Sequence, residues 1–98
     1  MLIKEYTKTG RSCRVTFELP AEVQANEVFL VGEFNDWDRG ATSLKRRKDG
    51  SFGTTISLKQ GREYRFRYLI DGDRWENDHA ADRYLPNSHG TDDSVVVV

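Results

Sequence analysis

Cys13-Arg14-Val15-Thr16-Phe17-Glu18-Leu19 places an apolar side chain at every odd position and a polar one at every even position. A period of two is that of a half-buried β-strand, and it excludes a helix over these residues. Pro20 closes the segment, because proline has no N–H to give to a sheet ladder. Thr54-Thr55-Ile56-Ser57-Leu58 alternates in the same way. So does Tyr64-Arg65-Phe66-Arg67-Tyr68-Leu69-Ile70, with its even residues toward a core. Val28-Phe29-Leu30-Val31 is a short continuous apolar run bounded by Gly32, which suits a central strand covered on both faces. Ser94-Val95-Val96-Val97-Val98 is β-branched to its end and must pair as a strand, since an open edge there would invite aggregation.

The turns between these segments are regular. Asp49-Gly50, Gln60-Gly61 and Asp71-Gly72 each set a glycine behind a turn-forming residue, which reads as a meander of hairpins. Ala21-Glu22-Val23-Gln24-Ala25 is the one helical candidate, and it is too short to stand alone. Residues 36–44 and 73–93 are polar, rich in Asp, Asn and Gly, and predicted as irregular loops. A loop as long as the second is usually functional. About seven to eight short antiparallel strands in one 98-residue domain point to an all-β, immunoglobulin-like β-sandwich.

Composition narrows the function classes. Fifteen basic and sixteen acidic residues leave a net charge of −1, without the basic excess expected of a nucleic-acid binder. The local run Lys45-Arg46-Arg47-Lys48 is closed by Asp49. A single cysteine, Cys13, makes no internal disulfide, and one Cys with two His forms no metal motif. No apolar run is long enough to span a membrane, and the first residues lack a signal-peptide pattern. The expected setting is cytoplasmic, with no cofactor, no metal, no nucleic acid and no membrane.

Catalysis finds little support in the residues. Asp36 with Asp38, and Asp92 with Asp93, are the candidate carboxylate pairs, but acids are so frequent here that adjacency carries little weight. No nucleophile elbow, phosphate-binding loop or metalloprotease motif is present. His79 and His89 read as solvated loop side chains, and the expectation is a protein that is not an enzyme.

The tryptophans say more. Trp37 lies in Gly32-Glu33-Phe34-Asn35-Asp36-Trp37-Asp38, and Trp75 follows the Asp71-Gly72 turn. Each indole can fold back over a sandwich end, or the two can form a shared exposed platform. A flat indole covers the C–H face of a pyranose ring while nearby donors and acceptors take its hydroxyls. Arg67, on the polar face of its strand, is a candidate hydroxyl reader, unless that face is merely solvated. Asn87 is a second, unless its amide is spent on an Asx-turn behind Pro86.

The segment Val28–Trp37 resembles the signature of family 48 carbohydrate-binding modules, a group that includes the glycogen-binding domain of the AMP-activated protein kinase β subunit and N-terminal domains of isoamylases and branching enzymes. Tyr64–Gly72 followed by Trp75, and Pro86-Asn87 through His89-Gly90-Thr91-Asp92-Asp93-Ser94, match the same family in order and spacing over roughly residues 12–98. The chain is most similar to small stand-alone bacterial proteins of this one domain. The resemblance implies binding of α-1,4-glucan without catalysis. It places Trp37 and Trp75 as stacking residues, Arg67 as hydroxyl reader, and Asn87, His89, Thr91 and Asp93 in the last contact loop. Thr91 keeps the family's residue, whereas His89 stands for an apolar side chain and Asp93 for an asparagine.

A second reading retains the sandwich without the sugar, docking a separate glucan-metabolising enzyme or kinase-like partner through a sheet edge. With Trp37 and Trp75 assigned to the surface, the core is predicted to rest on Phe17, Phe34, Phe66, Tyr64, Tyr68 and the aliphatic strand residues.

Overall fold

A computed structural model describes residues Met1–Val98 as two antiparallel sheets packed face to face. The strands are β1 (Leu2–Tyr6), β2 (Ser12–Leu19), β3 (Val28–Gly32), β4 (Lys45–Arg46), β5 (Phe52–Lys59), β6 (Glu63–Ile70), β7 (Arg74–Glu76), β8 (Arg83–Pro86) and β9 (Asp92–Val97). One sheet has the order β1-β2-β5-β4 and the other β3-β6-β9-β8, with β7 pairing on β6. Set beside the immunoglobulin order A-B-E-D and C-F-G, the first sheet and the β3-β6-β9 part of the second correspond strand for strand. The additions are β7 and β8, both inserted between the sixth strand and the last.

The alternation in the sequence does what a period of two requires. Cys13, Val15, Phe17 and Leu19 are buried, as are Phe66, Tyr68 and Ile70 on β6. Phe17 and Phe66 meet edge to face with ring centroids 5.0 Å apart, and Phe66 and Tyr68 do so at 5.7 Å. Phe34 and Tyr64 are only partly buried and pack against this cluster from its rim. The terminal valines are paired along one side by β6, from Val95 to Val97; on the other side β8 pairs only Val95, and the Asp82 carboxylate accepts Val97 N–H at 2.7 Å.

Several expectations change. Nine strands are present, one or two more than predicted, and residues 73–93 contain both β7 and β8. These strands are short and largely exposed, so their sequences lack the apolar alternation of a half-buried strand. Strand β1 is also added, pairing Leu2 with Phe17 through Tyr6 with Cys13. Val28–Gly32 is buried on both faces as predicted, yet it stands at the edge of its sheet rather than the centre. Residues 42–44 close that edge: Leu30 N–H donates to Thr42 O at 2.8 Å and Leu44 N–H to Val28 O at 2.9 Å. Ala21–Ala25 forms turns and loop, not a helix. The glycine turns are hairpins only at Asp49-Gly50, between β4 and β5, and at Asp71-Gly72, between β6 and β7. At Gln60-Gly61 the chain crosses from one sheet to the other.

Two carboxylates associated with the second sheet are buried, those of Asp78 and Asp93. Asp78 is fully buried and accepts from the Tyr68 hydroxyl at 2.8 Å and the Met1 amino group at 2.6 Å. Its own N–H donates to Ser94 Oγ at 2.9 Å, Ser94 Oγ donates to Asn77 Oδ1 at 3.0 Å, and Asn77 Nδ2 reaches Asp92 O at 2.8 Å. This relay ties the segment before β8 to the start of β9. Burial, and then the charge of Asp78, push the ionisation of Tyr68 far above the ordinary tyrosine range.

Candidate functional site

Residues paired across neighbouring strands share a face, so the core-facing residues of β6 define its opposite face as well. Arg65, Arg67 and Leu69 point away from the core, in line with Val31 on β3, Trp75 on β7 and Val95 on β9. On this outer face a cleft of about 730 Å³ is lined by Val31, Trp37, Arg39, Arg67, Trp75, Asn87, Ser88, His89, Thr91 and Asp93. All seven residues that the resemblance marks therefore surround one cleft, although they come from a turn, three strands and a loop.

Trp37 is placed by a turn whose own side chains fasten it to the strands and the segment beside it. Residues Glu33–Asn35 form a single 3-10 turn after β3. Asn35 Oδ1 accepts from Gly32 N–H at 3.0 Å, and its Nδ2 donates to Leu30 O at 2.9 Å and Thr42 Oγ1 at 3.2 Å. Glu33 caps the neighbouring strand, its carboxylate accepting Arg65 N–H at 2.6 Å beyond the last β3 pairing. Gly32 leaves no space for a side chain: an added Cβ would lie 2.6 Å from Arg65 O and 2.8 Å from Phe66 Cβ. Asp36 and Trp37 both take left-handed backbone conformations, with φ of 56° and 58°. That region is unfavourable for a bulky side chain, and the Trp37 N–H bond to Gly32 O at 2.8 Å helps hold it there. The indole stands 39% exposed.

Trp75 is built differently. It lies on a strand opposite Leu69, is half-buried, and has two guanidinium groups against its ring. Arg39 Cζ is 5.4 Å and Arg67 Cζ 5.7 Å from the ring centroid, within cation–π range. The two arginines of β6 have separate fates. Arg65 donates to Pro86 O at 3.0 Å and to Asp93 Oδ2 at 3.3 Å, so it belongs to the framework. Arg67 lines the cleft, and its buried Nε has no hydrogen-bond partner. A buried donor left unpaired costs free energy.

The last loop is fastened to itself. Asn87 Nδ2 donates to Thr91 Oγ1 at 2.8 Å and Asp93 Oδ1 at 3.0 Å. Asn87 Oδ1 accepts from His89 N–H at 2.9 Å and Thr91 N–H at 3.2 Å. Both amide hydrogens and the carbonyl are thus engaged, the Asx-turn alternative of the sequence reading. Asp93 is buried, with Asn87 on one carboxylate oxygen and Arg65 on the other. His89 and Thr91 are exposed on the loop, and His79 is exposed outside the cleft. The carboxylate pairs do not converge on a cleft: Asp38 turns back to Gly40 N–H at 2.9 Å, and Asp92 does not line it. Arg39, Ser88 and Val31 are cleft residues that sequence reading missed. Val31 could have been found, since it lies across from Arg67 in the strand pairing; Arg39 carries no pattern that marks it.

The model of the glycogen recognition site of AMP-activated protein kinase matches residues 14–98. The chain belongs to this glycogen-recognition family. The matched range takes in the Gly32–Asp38 turn, β6, β7 and the 87–93 loop, every segment that builds the cleft. A further relative is the 1,4-alpha-glucan branching enzyme GlgB of Aquifex aeolicus (strain VF5), 36% identical over 67 residues. That alignment covers 66% of this chain and 10% of the enzyme, so the glycogen-recognition domain corresponds to about a tenth of that relative's length. No group of three or more His, Cys, Asp or Glu side chains is gathered where it could hold a metal ion. No helix is long and apolar enough to cross a membrane.

Proposed function

We propose that the cleft on the outer face of the β3-β6-β9-β8 sheet binds α-1,4-linked glucan, such as glycogen or a maltooligosaccharide, and that the protein does so without catalysis. The observation that carries this reading is the meeting of Trp37, Trp75 and an unpaired Arg67 in one cleft of a glycogen-recognition domain. Trp37 is the principal stacking surface, because its indole is the more exposed of the two. Trp75 offers less free ring and also steers Arg67, whose guanidinium reads hydroxyls. Thr91 and His89 offer further polar contacts from the loop rim. Asn87 and Asp93 act mainly by holding that rim in shape.

The expected affinity is modest. Covering an exposed indole contributes at most ~1.5–3 kcal/mol, and each neutral hydrogen bond about 1 kcal/mol net. Association and ordering offset much of this, leaving roughly −4 to −7 kcal/mol, a Kd between about 1 mM and about 10 μM. Such binding gains its use on a polymer, where many sites lie within reach.

Trp37→Ala is expected to keep its thermal unfolding within a few degrees of the parent and to lose retention on immobilised glycogen. Maltoheptaose should quench the tryptophan fluorescence of the parent. A folded Trp37→Ala protein retained as well as the parent removes the stacking role. The docking of a separate enzyme is the second reading, and the free edge of β1, with Ile3 and Tyr6 exposed, is the surface that favours it. Silent titration with maltoheptaose, together with one stoichiometric protein partner whose binding is lost in Ile3→Glu, would favour that reading.

A further inference from the structure

The charges around the cleft are more lopsided than a neutral sugar requires. Arg39, Arg67 and Asp93 are the formally charged residues lining it. Asp93 is already committed, one oxygen to Asn87 and the other to Arg65, so its charge is answered from the framework side. Asp38, next in sequence to Arg39, accepts a backbone N–H of its own loop, and Asp36 lies outside the lining. Arg39 and Arg67 form no salt bridge; the five ion pairs of the protein all involve other residues. Both guanidiniums instead flank the Trp75 ring, at 5.4 and 5.7 Å from its centroid, beside the surface proposed to hold a glucose residue.

Two uncompensated guanidiniums beside a sugar-stacking ring are suited to an oxyanion carried by the sugar. Each presents a planar fork of N–H donors that fits phosphate, with charge-assisted bonds about twice as strong as neutral ones. We propose that this cleft prefers α-glucan bearing a phosphate monoester over the unmodified polymer, with Arg39 and Arg67 as the phosphate readers. The proposal rests on the glucan-binding reading and adds a substituent to it. Arg39 extends from an exposed loop and can swing from the ring to the phosphate, whereas Arg67 is fixed from below by its strand.

The test compares maltoheptaose with maltoheptaose carrying one phosphate monoester, by calorimetric titration of the intact chain. At about 20 mM salt the phosphorylated sugar should bind about tenfold more tightly, and the ratio should fall toward one at about 500 mM salt, where the charges are screened. Arg39→Gln should shrink the low-salt ratio to near one, while Lys45→Gln, on the opposite sheet, should keep it. Equal affinity of the parent for the two sugars overturns the phosphate preference and leaves neutral-glucan binding standing. Failure of both sugars to bind brings down both readings. Binding of the phosphorylated sugar alone supports the arginine pair and removes the neutral-glucan reading. Inorganic phosphate that binds as tightly as the phosphorylated sugar would show a plain anion site and overturn the proposal. A full ratio retained in Arg39→Gln would do the same for the role of Arg39.

Discussion

Two connections border the cleft, and each is organised by an asparagine. In the turn after β3, Asn35 reaches outward to three partners, on Gly32, Leu30 and Thr42, and so binds the turn to the strand edge and to the segment that covers it. In the loop between β8 and β9, Asn87 bonds chiefly within the loop, to His89, Thr91 and Asp93. The first arrangement forces a tryptophan into a left-handed conformation and presents it to solvent. The second forms a rim whose polar groups are largely satisfied before any ligand arrives. Residue type alone therefore does not tell a reader of sugar hydroxyls from a fastener; the free hydrogen-bonding capacity of the folded loop does. By that measure the groups still available in the cleft are Trp37, Arg67, Arg39 and the exposed side chain of His89, since the Thr91 hydroxyl already donates to Asn87 Oδ1 at 3.1 Å and accepts from Asn87 Nδ2 at 2.8 Å.

The strongest way to break the first connection is Gly32→Ala. The new methyl meets backbone and packed aromatic atoms, not the end of a flexible side chain, so the β3 edge must shift. A loss of about 3 kcal/mol or more is expected in chemical denaturation, with glucan binding lost in parallel. Asn35→Ala should follow at about 2 kcal/mol, since it strands Gly32 N–H and Leu30 O in a part-buried site. Asn87→Ala, in a more exposed loop, should cost about 1 kcal/mol and affect binding more than folding. Equal losses of stability for the two asparagine variants would erase the distinction drawn between the connections.

The second connection has an anchor below it that the first lacks, and alkaline titration exposes it. Tyr68 holds its proton in the folded protein far above the value near 10 of an unfolded tyrosine, first through burial and then through Asp78. A raised folded value means that this stabilisation is intact below about pH 10 and is lost as the pH rises beyond it. Near pH 11 the parent should therefore have lost about 1.4 kcal/mol from this group, and Tyr68→Phe should lack that part of the slope. Parallel pH profiles for the two proteins would show that the Tyr68–Asp78 pair does not govern the base of the loop.

Much of this architecture is legible in the sequence because burial writes a period of two. Cys13–Leu19 and Tyr64–Ile70 announce their strands, and their core faces follow from the same count. Short exposed strands leave no such trace: Arg74-Trp75-Glu76 and Arg83-Tyr84-Leu85-Pro86 are set by pairing with β6 and β9, partners that only the fold brings near. The same limit explains the site. Trp37, Arg67 and Trp75 could be named from their motifs, and the cleft gathers them. Arg39 could not, because nothing in Asp38-Arg39-Gly40 reveals that its guanidinium will rest against an indole from another strand. For Asn87 the sequence leaves an Asx-turn and a hydroxyl contact both open, and what the fold adds is the bonds of its amide to Thr91 and Asp93.

The smallest expected effect asks whether the first connection truly trades stability for display. Trp37→Ala and Trp37→Gly remove the same indole, so both should lose glycogen retention equally. They differ in the backbone. With φ at 58°, alanine keeps the penalty of a left-handed residue, whereas glycine adopts this conformation without a Cβ clash. In the unfolded chain glycine has more freedom to lose, which offsets part of the gain. The net expectation is that Trp37→Gly is more stable than Trp37→Ala by about 0.5–1 kcal/mol, measurable as a shift in urea midpoint at constant slope. Were alanine the more stable, the turn would not be holding Trp37 against its preference, and the exposure of the indole would need no strain to maintain it.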